Sequence, residues 1–334
     1  MGNHTFSINY KTQRLPLWIE HVDGVPFRKL GNEQNLSGKQ TYLRVARELA
    51  KLPDNTKLTV DLCDMRRYSG ILVLDGKYIK VVGTKAIPFL WGLDYLTHDP
   101  LIGKLSKAED TPAFRYIFFA LKAMGYPLKI VVVDDRAGIS QALKEAYPRA
   151  RIQLCHVHYL ENIRRILTVR TNEYHQHFFN SLRLHVFLEP KTIDEVLKGL
   201  KHVKDSRCEQ NELRLGIVWE IYHRIDELFA YLNIPNCPNN TNLIELYNSH
   251  LNARVKSIKG FSSFSHASTW LNAYMIRRRT KPLTDCEGRF KPLNGHASLE
   301  LSIKKQPSWP SVLTDLGISP VKCFLPPEKP LNTN

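Results

Sequence analysis

KIVVVDDRAGISQALKEAYPRARIQLCHVH, residues 129–158, decides how the rest of this chain is read. Ile130 to Val133 is an unbroken β-branched run that stops at Asp134 and Asp135, the pattern of a buried strand ending where a ligand can enter. GISQALKEAYP then has helical spacing, and RIQLCHVH reads as another strand.

Upstream, ILVLDGKYIKVV (71–82), AIPFLWGLDYLT (86–97) and PLIGKLS (100–106) follow one another closely as three strands, consistent with an antiparallel meander. TPAFRYIFFALKAMG (111–125) is a helix with Phe114, Ile117, Phe118 and Leu121 on one face and Gly125 ending it. The order βββαβαβ is that of a ribonuclease H-like core, an α/β fold with a mixed sheet. Residues 161–238 are helical and charge-rich without a strand pattern, and they read as an all-helical insertion. The chain then returns to the core with an amphipathic helix in NNTNLIELYNSHLNARVKSIKGF (239–261) and a helix with a basic end in STWLNAYMIRRRTKPL (268–283). The catalytic domain is therefore expected in two parts, 70–160 and 239–285, followed by a weakly structured, proline-bearing tail at 286–334.

Ahead of this core, residues 14–52 read as a small helix-turn-helix domain, joined to it by a polar, turn-rich linker at 53–69. Ser37 is the expected N-cap of the third helix, with Tyr42, Val45, Ala46 and Leu49 as its apolar face. Lys39, Gln40, Arg44 and Arg47 are left on the other face, where a recognition helix contacts DNA. A three-helix packing module with a solvated charged face is the alternative.

The formal net charge of +15 and pI near 9.5 favour polyanionic partners, nucleic acid first, because each Lys or Arg on a phosphate releases condensed counterions. Six scattered cysteines and an N-terminus without an apolar signal core suit a reducing, cytosolic setting. The apolar runs are too short for a membrane span.

Three acids stand in contexts that suit a two-metal phosphoryl-transfer site: Asp75 in ILVLDGKYI, Asp134, and Glu245 at the start of its helix. Magnesium takes oxygen ligands, so carboxylates from separate elements are what such a site requires. Each has a plainer reading. Asp75-Gly76 is also a hairpin signal, Asp134 or Asp135 could cap the next helix, and Asn242 with Glu245 has capping-box spacing. The helix itself favours function: Glu245, Asn248, Ser249, Asn252, Lys256 and Lys259 form one polar stripe, opposite Leu243, Leu246, Tyr247, Leu251 and Val255.

These residues carry a family resemblance. Asp75 in LDGKY, Asp134 in VVVDDRAGISQALKEAYP, Cys155 and His158 in LCHVHYLENIRR, and Glu245 in TNLIELYNSHLNARVKSIKGF resemble the catalytic domain of Mutator-like and related bacterial insertion-sequence transposases. In that family the second aspartate lies four residues before a small residue and fourteen before the proline of an aromatic-proline pair. Gly138 and Tyr147-Pro148 stand there, which selects Asp134 over Asp135.

The resemblance implies a DDE transposase that binds terminal inverted repeats and cuts and joins DNA with two Mg²⁺ ions, Mn²⁺ being an alternative, held by Asp75, Asp134 and Glu245. It also implies double-stranded DNA as partner, a homodimer or larger assembly on it, and a bacterial, nucleoid-associated setting. Cys155 and His158 match the family's Cys-His signature, read as structural rather than as a zinc site, since no second Cys/His pair at finger spacing follows. Arg164, Arg165, Arg254, Lys256, Lys259, Arg277, Arg278 and Arg279 are candidate phosphate contacts. A captured transposase that only binds DNA, and a plain metal-dependent nuclease, are the competing functions.

Overall fold

The computed structural model describes residues 15–208, 211–258 and 260–318, which divide into two compact units, 15–52 with 303–318 and 53–302. The smaller unit holds α1 (Leu17–Val22), α2 (Phe27–Gln34) and α3 (Gly38–Ala50). Ser37 caps α3 in a reciprocal box with Gln40: the Gln40 N–H donates to Ser37 Oγ at 3.2 Å, and the Ser37 N–H donates to Gln40 Oε1 at 2.9 Å. The buried face of α3 is Thr41, Val45 and Leu49 rather than the expected Tyr42, Val45, Ala46 and Leu49. Tyr42 is exposed and its ring meets Phe27 edge-on, while Thr41 is buried with its hydroxyl satisfied by donating to the Ser37 carbonyl at 2.9 Å.

The larger unit begins with α4 (Asn55–Leu62), where the sequence reads as a linker. Its polar residues are structural: Asp54 caps the helix, and Asn55 and Thr59 are buried. β1 (Ile71–Ile79), β2 (Ile87–Asp94) and β3 (Ile102–Leu105) then form the expected antiparallel meander. After α5 (Thr111–Ala123), β4 (Ile130–Val133) pairs parallel with β1, and after α6 (Ile139–Ala146), β5 (Arg151–Leu154) pairs parallel with β4. The sheet is thus five-stranded and mixed, in the order β3-β2-β1-β4-β5. Phe114, Ile117, Phe118 and Leu121 of α5 are all buried, as their spacing predicts, and Gly125 takes the left-handed φ of +79° that ends the helix.

RIQLCHVH is shorter as a strand than it reads. The strand stops at Leu154 and Cys155 starts α7 (His156–Ile166), so His156 and His158 are helical. The helices continue through α8 (Glu173–Leu182), α9 (Ile193–Arg207), α10 (Glu212–His223) and α11 (Ile225–Leu228). α12 (Asn242–Ile258) then packs on β1, and α13 (Phe264–Thr280) on β3 and α4.

Residues 286–302, expected as tail, belong to this unit. α14 (Ser298–Ser302) packs on α13, and Ser298 donates to the buried Asp99 at 3.0 Å. α15 (Trp309–Asp315) belongs to the smaller unit. Among the described residues no helix is long and apolar enough to cross a membrane.

Candidate active site

Asp75 lies within β1 and not at its end. The ladder with β2 runs on to Ile79, so Asp75-Gly76 is no hairpin turn. What ends is the pairing with β4, whose last partners are Val73 and Val132, so Asp75 faces the point where β4 releases Asp134. Asp75 Oδ1 accepts from the Gly76 N–H at 2.7 Å, and Oδ2 accepts from Asn248 Nδ2 of α12, also at 2.7 Å. Asn248 is held in turn by Trp91 of β2, whose indole N–H donates to its Oδ1 at 2.9 Å.

This rotates the stripe expected on α12. Ile244, Tyr247, Asn248 and Leu251 are its buried residues and Leu246 is half-exposed, because the amide of Asn248 is spent on Asp75 inside the fold.

Asp134 and Glu245 meet at one imidazole. His158 Nδ1 lies 2.5 Å from Asp134 Oδ1, and its Nε2 lies 3.7 Å from Glu245 Oε1. Glu245 Oε1 also accepts from the Thr241 hydroxyl at 2.9 Å, and that hydroxyl lies 3.2 Å from Cys155 Sγ. Asp134, Cys155 and His158 each bring one donor atom within 4.8 Å of the others. Asp135 is turned away: both of its oxygens are gripped by Arg224, at 2.6 and 2.9 Å, while Gly138 starts α6 without a side-chain cap. Gly138 has φ +84°, and a Cβ there would sit 2.1 Å from Thr111 Oγ1, a physical reason for a small residue four places after Asp134.

The charges are unevenly matched. Burial pushes the Asp75 carboxyl up to about 6; the Gly76 N–H opposes this, Asp134 and Glu109 add to it, and His158 opposes it. His158 is pushed up to about 10, first by Asp134 and then by Cys155, which favours its charged form. Cys155 is lowered because hydrogen bonds with His158 and Thr241 outweigh the upward push of burial. Two of the three acids, Asp134 and Glu245, thus lie against one histidine, while Asp75 is held by Asn248 and the Gly76 N–H and is raised chiefly by its burial.

Sequence reasoning left out Glu109, whose side chain is 8% exposed and whose nearest cation is Arg136 at 3.6 Å. Its Oε1 fills the space beside Gly76, where a Cβ would approach to 1.8 Å. That Gly follows Asp75 was the available signal. The link that Thr241 makes between Cys155 and Glu245 needs the fold.

The basic candidates separate by environment. Lys39, Arg44, Arg47 and Lys256 are exposed, although Arg44 lies 3.6 Å from Glu48, and the Gln40 side-chain carbonyl is occupied by its cap. Arg164 is paired with Glu161 at 3.0 Å, Arg165 hydrogen-bonds Asn162, and Arg254 is half-buried. Arg277 and Arg278 are half-buried, with Arg278 lying 4.8 Å over the Tyr247 ring. Arg279 is not a surface cation. It is 0% exposed, bound to both oxygens of Asp99 at 2.8 Å and to Asn55 and Thr59 of α4. Lys259 lies outside the described residues.

The class of fold is a mixed α/β core whose β4 end and α12 bring Asp134 and Glu245 to one histidine. The profile of the Mutator family of transposases matches residues 68–275, and the chain belongs to that family. It is 32% identical over 98 residues to the transposase of insertion sequence element ISRM5 from Rhizobium meliloti strain 1021, a stretch covering 27% of this chain and 25% of that one. The match thus spans about a quarter of that relative's length. The Drosophila P element transposase in its strand transfer complex superposes with a TM-score of 0.48 at 11% identity, covering 84% of this chain and 94% of that one.

Proposed function

We propose that the chain is a DDE transposase. In this reading residues 14–52 are a helix-turn-helix that reads terminal inverted repeats. Residues 70–160 and 239–285 are a ribonuclease H-like catalytic domain carrying the insertion at 161–238. The observation that carries it is the meeting of Asp134 and Glu245, far apart in sequence, at His158, with Asp75 electrostatically coupled to Asp134.

The donor set suits Mg²⁺, or Mn²⁺ in its place: the acids offer oxygen ligands, and a cation there would offset the burial that pushes the Asp75 carboxyl up to about 6. Asp75, Asp134 and Glu245 would hold the metal, which supplies activation of water or a DNA 3′-hydroxyl and stabilises the leaving oxygen. The chain's own part is orientation. Asn248 fixes the Asp75 carboxylate, Thr241 that of Glu245, and His158 spans Asp134 and Glu245 with a charge that a bound cation would replace. Arg254 and Lys256, further along α12, would carry the DNA backbone away from the cut. Two DNA ends must be joined in one event, so the working species is a homodimer or larger.

The test is incubation of the full chain with a labelled element end and target DNA. Mg²⁺ should produce a nick and a joined product, and chelator should abolish both. Binding without cutting under every metal condition would return the chain to the DNA-binding class.

A further inference from the structure

Arg224 stands at the break between α10 and α11, in the helical insertion, where the backbone leaves helical geometry at φ −106° and ψ 17°. Its guanidinium reaches Asp135, the direct chain neighbour of Asp134. Nη1 donates to Oδ2 at 2.6 Å and Nη2 to Oδ1 at 2.9 Å, the paired fork that fixes orientation as well as distance. Glu227 accepts from Nε and Nη2 at 3.1 and 3.0 Å, and Glu220 lies 3.8 Å away, so the fork is held from its own side too.

A second clasp follows at once. The carbonyl of Leu228 accepts from Gln153 Nε2 and from His156 Nε2, each at 2.6 Å, and the Tyr231 N–H donates to Gln153 Oε1 at 2.8 Å. Gln153 pairs with Val132 in the sheet, and His156 begins the helix that carries His158. One short segment, 224–231, therefore grips both the loop after β4 and the junction of β5 with α7. Those two places carry Asp134 and its partner His158.

We propose that Asp135 and Arg224 are positioning residues, through which the docking of the helical insertion sets the place of Asp134 and hence the ability of the carboxylate site to hold its divalent ion. The inference rests on the metal-binding reading above. Arg224 and Asp135 are 25% and 44% exposed in their side chains, so solvent screening limits what even this paired geometry adds to overall stability. Its effect lies in alignment, where supporting contacts around metal ligands commonly matter ten- to a hundredfold in affinity.

The experiment is Mn²⁺ titration of the DNA-free full chain, with free ion read by electron paramagnetic resonance, for wild type, Arg224→Gln, Asp135→Asn, the double variant and Asp134→Asn. Charge alone gives opposite signs for the two single variants: losing the Arg224 cation would tighten Mn²⁺ binding, and losing the Asp135 anion would weaken it. Positioning predicts that both weaken it on the order of tenfold, that the double variant is no worse than either, and that unfolding midpoints stay within about 4 °C of wild type. Tighter binding in Arg224→Gln, unchanged binding in Asp135→Asn, or effects that multiply in the double variant would overturn the proposal. If Arg224→Gln does not fold, Arg224→Lys, which keeps the charge and loses the fork, must show the same weakening. Wild type that binds no Mn²⁺, or Asp134→Asn that binds it normally, would instead sink the metal site itself.

Discussion

Asn248→Ala removes the centre of the Trp91–Asn248–Asp75 chain and should be felt twice. The amide bond to Asp75 is to an ionisable group, and such bonds are worth about 1.5–3 kcal/mol; the Trp91 N–H, on a side chain 0% exposed, is left without its partner at a further cost of about 1–3 kcal/mol. Together these predict a loss of about 3–5 kcal/mol in urea unfolding. At about 2–4 °C per kcal/mol for a unit of this size, the midpoint should fall on the order of 10 °C. The sharper result comes from a double-mutant cycle. Trp91→Phe alone should destabilise, because Asn248 Oδ1 loses its donor. In the Asn248→Ala background the same change removes an orphaned N–H and should cost almost nothing or stabilise, giving a coupling of about 1–2 kcal/mol. Cleavage by refolded Asn248→Ala should also drop by more than stability explains, since a freed Asp75 leaves the geometry the chemistry needs. Additive effects, or a loss below about 1 kcal/mol, would refute the claim that this chain orients Asp75.

Further predictions follow from the same contacts. Replacing Lys39, Arg44 and Arg47 of α3 with alanine should weaken DNA binding and make its salt slope shallower by up to ~3, with loss of preference for element ends over random duplex; competition binding at two salt concentrations checks it. Arg279→Ala should cost about 3–5 kcal/mol in unfolding, by leaving Asp99 buried and unpaired, yet leave the DNA affinity of the folded fraction unchanged. Burial holds His156 down to about 4, against about 6.5 in an unfolded chain, while its Nε2–H donates to Leu228. Between those pH values the unfolded chain binds the extra proton, so stability is full above pH 6.5 and falls as pH drops through the window, by at most roughly 3 kcal/mol near pH 4. His156→Gln should flatten that slope in urea titrations at pH 7 and 4.5.

Periodicity made the sheet legible. The β-branched run 130–133 is a buried strand and the spacing of Phe114, Ile117, Phe118 and Leu121 is a helix face, as each pattern predicts. The same reasoning failed where a polar side chain turns inward. Thr41 and Asn248 are buried because each satisfies its hydrogen bonds inside the fold, and each rotated a helix face away from its expected position. Arg279 ended a basic run that reads as surface, and only the fold reveals Asp99 opposite it. Residues 53–69 looked like linker for a related reason: cap and buried amide residues are the same types that make turns. The three acids were legible as motif positions. The meeting of Asp134 and Glu245 at His158 was not, because it depends on β5 stopping at Leu154 and Cys155 starting a helix where alternation continued a strand.

The most direct measurement compares Asp75→Asn, Asp134→Asn and Glu245→Gln with wild type for Mg²⁺-dependent cutting of an element end, each alongside its DNA affinity. These substitutions keep shape and remove only the charge that would hold the metal. The account predicts that all three cut at background level while binding DNA nearly as wild type does. Near-normal cutting by any one of them, Glu245→Gln above all, would contradict the assignment and leave that residue as a helix-start contact to Thr241.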